Sequence, residues 1–252
     1  MLAILLQGIL ETQTNFIAAA AGVCVITAGM LVLLMRNSDY ATLSQRYVVA
    51  VWVALVAGVG VWTTHFVAMI GYRPDAALTY DLSLTTISIL VGITLVGLPI
   101  AASLFVESEH RRVGLGVTAG LGVAAMHLTG MSALENCLAI YNPLTLLIGI
   151  AAGIAGFVLA MLQEGDDMRA QLRKGLGMVS GVCALHFIAM GSVSIDLLEG
   201  IANGVGGASL STMVASISLA VFAISVIGTL SYRRSLAMRR AGYWTEGDLG
   251  RF

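Results

Sequence analysis

Apolar residues in this chain form long unbroken runs, neither alternating with polar ones nor recurring on one helical face. Seven stretches, at residues 16–35, 47–70, 82–106, 113–134, 143–163, 175–195 and 208–232, contain no Asp, Glu, Lys or Arg. A hydrocarbon core of about 30 Å takes about 20 helical residues to cross, so each stretch predicts a transmembrane helix. Barrel strands would be about ten residues long and alternate at every second position. In lipid, only helices and closed barrels satisfy all backbone polar groups internally. The pattern therefore predicts an all-α polytopic membrane protein. A seven-helix membrane domain spans 16–232, an extracytoplasmic or interfacial segment 1–15 precedes it, and a basic tail 233–252 follows.

Composition strengthens this picture. Hydrophobic residues make up 58% of the chain and charged ones 11%, against roughly a quarter charged in a soluble domain. Three small-residue pairs, Gly116 with Gly120, Gly149 with Gly153 and Gly177 with Gly181, predict close helix packing. Cys24, Cys137 and Cys183 imply no disulfide framework, since three cannot all pair and two lie within spans. No basic region precedes the first span, so that span is expected to be retained, not cleaved as a signal peptide, with residues 1–10 resting at the interface. A net charge of −1 gives no basic surface that would point to a nucleic-acid partner.

Charge in the connections sets an expected orientation. The connections after helices one, three and five and the tail hold Arg36, Arg46, Arg111, Arg112, Arg169, Arg173, Lys174, Arg233, Arg234, Arg239, Arg240 and Arg251, whereas the other side has only Arg73. Positive residues stay in the cytoplasm, so the N-terminus is expected outside and the tail inside. The tail is read as a topology anchor drawn to anionic lipid. Helices two, four and six then run outward.

Those three helices share a motif. His65 precedes Met69, His127 precedes Met131 and His186 precedes Met190, each by four positions, and the copies lie 62 and 59 residues apart. With methionine at 12 of 252 positions, three of four histidines matching this way by chance is a roughly one-in-two-thousand accident. The repeating unit is a motif-bearing outward helix and a plain returning helix, used three times after a leading helix. All three pairs fall at similar depth near the outer face, and same-direction repeats are expected to gather their helices around one axis.

Positions four apart on a helix share a face, so each pair presents imidazole and thioether side by side. Imidazole suits several transition metals, while the soft, uncharged thioether favours Cu(I); zinc sites usually add thiolate or carboxylate. Copper is therefore the expected metal. An unpartnered neutral polar group in an apolar medium costs about 2 to 7 kcal/mol, so three intramembrane imidazoles require partners, and a shared ion supplies them. Glu135 and Cys183 lie at spacings that reach the same face, but read more simply as a boundary residue and a small apolar one. Asp81 reads as a helix N-cap and His110 as a solvated loop residue.

The string Met126-His127-Leu128-Thr129-Gly130-Met131 resembles the best-known form of the motif, MHYTGM, of the MHYT domain, a bacterial seven-helix membrane sensor module, with Leu in place of Tyr. The likeness covers about residues 10 to 235. It implies copper held by His65, Met69, His127, Met131, His186 and Met190, with sensing of oxygen, carbon monoxide or nitric oxide, in the bacterial inner membrane. The resemblance also implies output through a cytoplasmic signalling protein of the cyclic-di-GMP enzyme class, either a separate partner or a further domain, because these residues contain neither a Gly-Gly-Asp-Glu-Phe nor a Glu-Ala-Leu signature. Phe66, Leu128 and Phe187 stand where a tyrosine is expected, so no phenol is supplied from the motif itself.

Other functions fit less well. Copper transport or delivery would need ligands along the inner half of the bundle, which is mostly Gly, Ala, Val and Leu. A haem-binding electron-transfer protein would use His and Met as opposed axial ligands around a wide cavity. A zinc hydrolase would need an acidic residue in the spans. A retinal protein would need a lysine in helix seven, and Lys174 is the only one. No enzyme is expected. The orientation makes Cys137, after helix four, extracytoplasmic: an impermeant maleimide should label it in intact cells, and labelling only after permeabilisation would reverse the assignment.

Overall fold

The computed structural model describes residues 12–37, 43–72, 78–165, 167–198 and 203–240. Most of the expected N-terminal segment, the loop carrying Arg73 and the tail beyond Arg240 lie outside them. Among the described residues seven helices follow in order: α1 Thr14–Asn37, α2 Leu43–Gly71, α3 Leu82–Phe105, α4 Glu109–Ser132, α5 Pro143–Met161, α6 Met168–Met190 and α7 Gly207–Arg240. The fold is all-α and polytopic, as the runs of apolar residues predict. Helix starts follow local chemistry. The Asp81 carboxylate accepts from the Leu84 amide at 2.7 Å, and the Asn142 side chain accepts from Leu144 and Thr145 ahead of Pro143, so orphan amides of the first turn are satisfied.

Six of these helices are long and apolar enough to cross a membrane. The exception is α6, whose first two turns carry Arg169, Arg173 and Lys174, leaving its apolar part to begin at Gly175. The expected span 175–195 also ends early. The helix stops at Met190, Gly191 and Ser192 turn the chain, and Val193–Leu197 forms a strand, where β-branched Val193 and Ile195 are at home.

The helices close a ring. α1 packs on α2, α2 on α3, α3 on α4, α4 on α5, α5 on α6, and α6 returns to α1. Within it, α4 also touches both α2 and α6, while α7 stands outside, packed mainly along α2. Leu147, Leu219 and Ile227 are 62%, 72% and 64% exposed, which places apolar side chains on the outer surface where lipid would cover them. A hydrogen bond ties α7 to the ring: the Thr63 and Ser218 hydroxyls lie 2.5 Å apart in a buried contact.

Helix α3 is not uniform. Gly92–Gly97 forms a π turn ahead of Pro99. Proline has no amide hydrogen to return to the Leu95 carbonyl, and such a gap is a common cause of local helix widening. Gly122 of α4 lies against the backbone at Leu95, with no side chain to hold the helices apart.

One end of the ring is clasped by short strands in segments expected as loops, apart from Val193–Ile195, expected as the end of the sixth span. β1 (Thr79–Tyr80) pairs with β4 (Val205–Gly206), and β2 (Cys137–Tyr141) with β3 (Val193–Leu197), both antiparallel. Single bridges join Thr12 to Tyr72 and Tyr80 to Leu134. Each connection after α2, α4 and α6 is thus hydrogen-bonded to another. Asn136 enters β2 with φ 55°, a left-handed conformation that Asn tolerates better than most residues. Glu135 serves this clasp: its carboxylate accepts from the amides of Asn203 and Gly204 at 2.9 and 2.7 Å.

The small-residue pairs are packing positions. A Cβ on Gly116 would lie 2.8 Å from Val158 Cα, whereas one on Gly22 would meet nothing within 4 Å. Gly116→Val is therefore expected to cost about 1 to 3 kcal/mol and to lower the melting temperature of the detergent-solubilised protein, with Gly22→Val close to wild type. Equal melting of the two would contradict this packing.

Candidate metal centre

Helices α2, α4 and α6 bring their histidines together inside the ring. Gathering around one axis, expected from the repeat, is what the fold displays. His65, His127 and His186 are 2%, 1% and 5% exposed. The Nδ1 atom of His65 lies 3.1 Å from that of His127 and 3.3 Å from that of His186. One ligand nitrogen from each ring falls within 4.8 Å of the others. The three rings stand nearly perpendicular, at 78° to 89°, with centroids 4.9 to 5.3 Å apart.

Such a cluster is awkward as protein alone. A neutral imidazole has one N–H and one lone pair, so a proton can bridge only one His pair at a time, and the remaining nitrogens face each other lone pair to lone pair. The Nε2 atoms of His65 and His127 are buried with no hydrogen-bond partner among the described residues. A cation held by the Nδ1 lone pairs would remove the conflict among those three nitrogens, leaving each Nε2 as an N–H donor. Metal–nitrogen bonds of about 2.0 Å around a tetrahedral ion set ligand nitrogens about 3.3 Å apart, which matches the two measured separations. The residues fit a transition metal.

Local sequence makes room for the rings. The residue three after each histidine is small: Ala68, Gly130 and Ala189. At Gly130 the reason is visible, because a Cβ there would lie 2.6 Å from His65 Nε2. Four residues before each histidine stands a valine, Val61, Val123 and Val182, and these line a small cavity with the three imidazoles, Met126 and Leu185. Its volume is about 10 Å³, room for one water-sized molecule. Read in full, the repeat is Val-x3-His-x2-small-Met, a longer signal than the His–Met pair alone.

Met69, Met131 and Met190 lie one helical turn beyond their histidines, toward the clasped end, and are buried at 1%, 2% and 1% exposure. They belong to the same apolar core as Met126, Phe66 and Tyr80. The cavity is lined on its opposite side, by Met126 and the valines. Glu135 is committed to the clasp, as a boundary residue. The Cys183 thiol meets Cys24 of α1, and Cys24 also bonds Thr64 beside His65. His110 is exposed.

A phenol absent from the motif is supplied from elsewhere. Tyr141 of β2 sets its ring 6.4 Å from that of His127, and its hydroxyl is buried without a partner among the described residues. Burial, and then neighbouring Tyr72, push this phenol well above the usual tyrosine range, so it remains an O–H donor at neutral pH. No spacing in the sequence marks Tyr141; the β2–β3 pairing brings it there.

Similarity to known proteins agrees with this arrangement. The family model described as the MHYT bacterial signalling protein N-terminal repeat matches residues 58–116 and 120–175. The bifunctional diguanylate cyclase/cyclic di-GMP phosphodiesterase MucR of Pseudomonas aeruginosa is 32% identical over 186 residues, 69% of this chain and 27% of that protein. The cyclic di-GMP phosphodiesterase NbdA of the same organism is 30% identical over 167 residues, 59% of this chain and 20% of that one. The signaling protein YkoW of Bacillus subtilis is 27% identical over 153 residues, 54% and 18% respectively. The aligned part is thus about a quarter or less of each relative. No solved structure matches the chain. With its repeated His-bearing helices and these relatives, the chain belongs to the MHYT family of bacterial membrane signalling domains.

Proposed function

We propose that this chain is a copper-binding sensor domain of the bacterial inner membrane, with its N-terminus outside and its tail in the cytoplasm. The observation that carries the reading is the convergence of three buried Nδ1 atoms from three repeats. His65, His127 and His186 would hold the ion, and Met69, Met131 and Met190 stand one turn away as thioether candidates. Three imidazoles alone suit zinc as well as copper; the recurring thioether favours Cu(I).

Copper held there would supply a redox-active centre with affinity for oxygen, carbon monoxide or nitric oxide. The protein's own contribution is geometry and exclusion. Val61, Val123 and Val182 keep the neighbouring space apolar and large enough for one small molecule. The clasp of strands lies between the cluster and the outer aqueous phase. That space is small for haem, and no ligand path continues through the bundle, which disfavours electron transfer by haem and copper conduction.

A route outward from the site exists in the bonding. Thr63, two residues before His65, meets Ser218 of α7, and α7 runs on to Arg240 at the basic end of the bundle. The relatives named as cyclic di-GMP enzymes suggest what such a helix would report to: a cytoplasmic enzyme of that class. The chain itself is read as non-enzymatic.

Metal analysis tests the reading. Protein purified under reducing conditions should retain copper, and the triple variant His65→Ala, His127→Ala, His186→Ala should lose it while remaining inserted and helical. Equal copper in both would remove the site. Replacing Met69, Met131 and Met190 together by Leu should reduce the preference for Cu(I) over Zn(II), and unchanged selectivity would eliminate the thioethers. Gly130→Ala leaves every candidate ligand in place but pushes on the His65 ring; Cu(I) affinity is expected to fall about tenfold or more, as measured by competition with a chromogenic chelator.

A further inference from the structure

A second internal cavity, of about 10 Å³, lies beside the one at the imidazoles. On α1 it is lined by Cys24, Thr27, Ala28 and Leu31. On α6 it is lined by Met178 and Val182, eight and four positions before His186, so it sits toward the basic end of the bundle. Every residue around it is buried. The metal-centre reading makes no use of it.

The two cavities share a wall. Val61 of α2 and Val182 of α6 line both, each one helical turn before a histidine. Two valine side chains thus form the partition between the second cavity and the imidazoles. On its far side α1 separates the second cavity from the outer surface of the ring, where Val25 and Ile26, next to Cys24 and Thr27 in the chain, are exposed.

The space is dry by its chemistry. Thr27 donates its hydroxyl hydrogen to the Val23 carbonyl and Thr64 donates its own to that of Gly60, each at 2.8 Å. The Cys24 thiol is engaged by Cys183 and Thr64. The rest of the lining is hydrocarbon, aromatic or thioether. A water held there would need about two to four polar partners, and these walls do not supply them. Nor does the void arise from helices kept apart: on the same wall a Cβ on Gly60 would strike the Thr27 side chain, so α1 and α2 are in close contact. An unfilled space among buried side chains forfeits packing, and packing is what holds helices together in a bilayer. A longer side chain at Ala28 would fill it; alanine keeps it open.

We propose that the second cavity is a binding station for a small uncharged gas molecule, placed between the bilayer and the imidazoles, with Val61 and Val182 as the gate between the two spaces. Its size admits one small molecule, and its apolar lining selects a poorly hydrated one while refusing ions and water. For the identity of that ligand the proposal rests on the sensor reading above; the cavities themselves require no metal.

The test separates the two readings. Crystals of the full chain grown without copper and pressurised with xenon, which occupies dry apolar cavities, should show one atom among Cys24, Thr27 and Ala28 and another beside Val123 and Met126. Ala28→Leu should lower xenon occupancy at the first position at least tenfold and leave the second. In copper-loaded, reduced protein, carbon monoxide association after flash photolysis should slow at least threefold in Ala28→Leu. It should quicken at least threefold in Val182→Ala, which removes bulk from the gate and does not depend on the leucine being accommodated. Xenon at both positions in protein that takes up no copper would support the binding station while removing the metal centre. Absence of xenon from the first position in wild-type crystals would overturn the proposal. So would carbon monoxide kinetics that neither variant changes.

Discussion

Three neutral imidazoles pointing at one another inside an apolar ring are the constraint around which this fold is organised. Each comes from a separate helix, and the His65 Nδ1 atom must be held about 3 Å from those of both His127 and His186 in a largely apolar interior. Leaving such groups unsatisfied is expensive in an apolar medium, so the helices bearing them have to converge at one depth and one rotation. The small residues Ala68, Gly130 and Ala189 give the rings space, and the ring of six helices turns its three motif-bearing members inward while α1, α3 and α5 stand between them. Helix α7 has no part in that convergence, which is why it lies outside, with most of its surface exposed.

Much of this is legible in the sequence. Seven uninterrupted apolar runs announce the helices because a bilayer imposes a single length scale on them. His65, His127 and His186 are legible as a set because each repeats with Met69, Met131 and Met190 in the same phase. Asp81 is legible as a cap because its carboxylate has one obvious use before an apolar run. The short α6 is partly hidden: Val193 and Ile195 are as apolar as the helix before them, so hydropathy alone carries the span past Met190.

What is not legible depends on contacts between distant residues. The five-residue strands at Cys137–Tyr141 and Val193–Leu197 become strands because they find each other, across 60 residues where Cys137 pairs with Leu197 and 52 where Tyr141 pairs with Val193; neither is long enough to stand out alone. Tyr141 therefore reaches His127 by tertiary pairing, and the missing motif phenol gives no hint of it. Cys183 looks like a neighbour of His186 by spacing, yet its thiol meets Cys24 on the leading helix. The valines at positions 61, 123 and 182 are visible in the sequence but carry no signal among so many other valines until the cavity beside the imidazoles shows what they line.

The strand clasp has a mechanical consequence. Because the connections after α2, α4 and α6 are hydrogen-bonded to one another, their helices are tied together at that end. A helix of 24 residues such as α4 is about 36 Å long, so a tilt of about 3° about the tied end displaces the far terminus by about 2 Å. By that leverage, a sub-ångström rearrangement among the imidazoles near the tied end would emerge magnified at the basic rim.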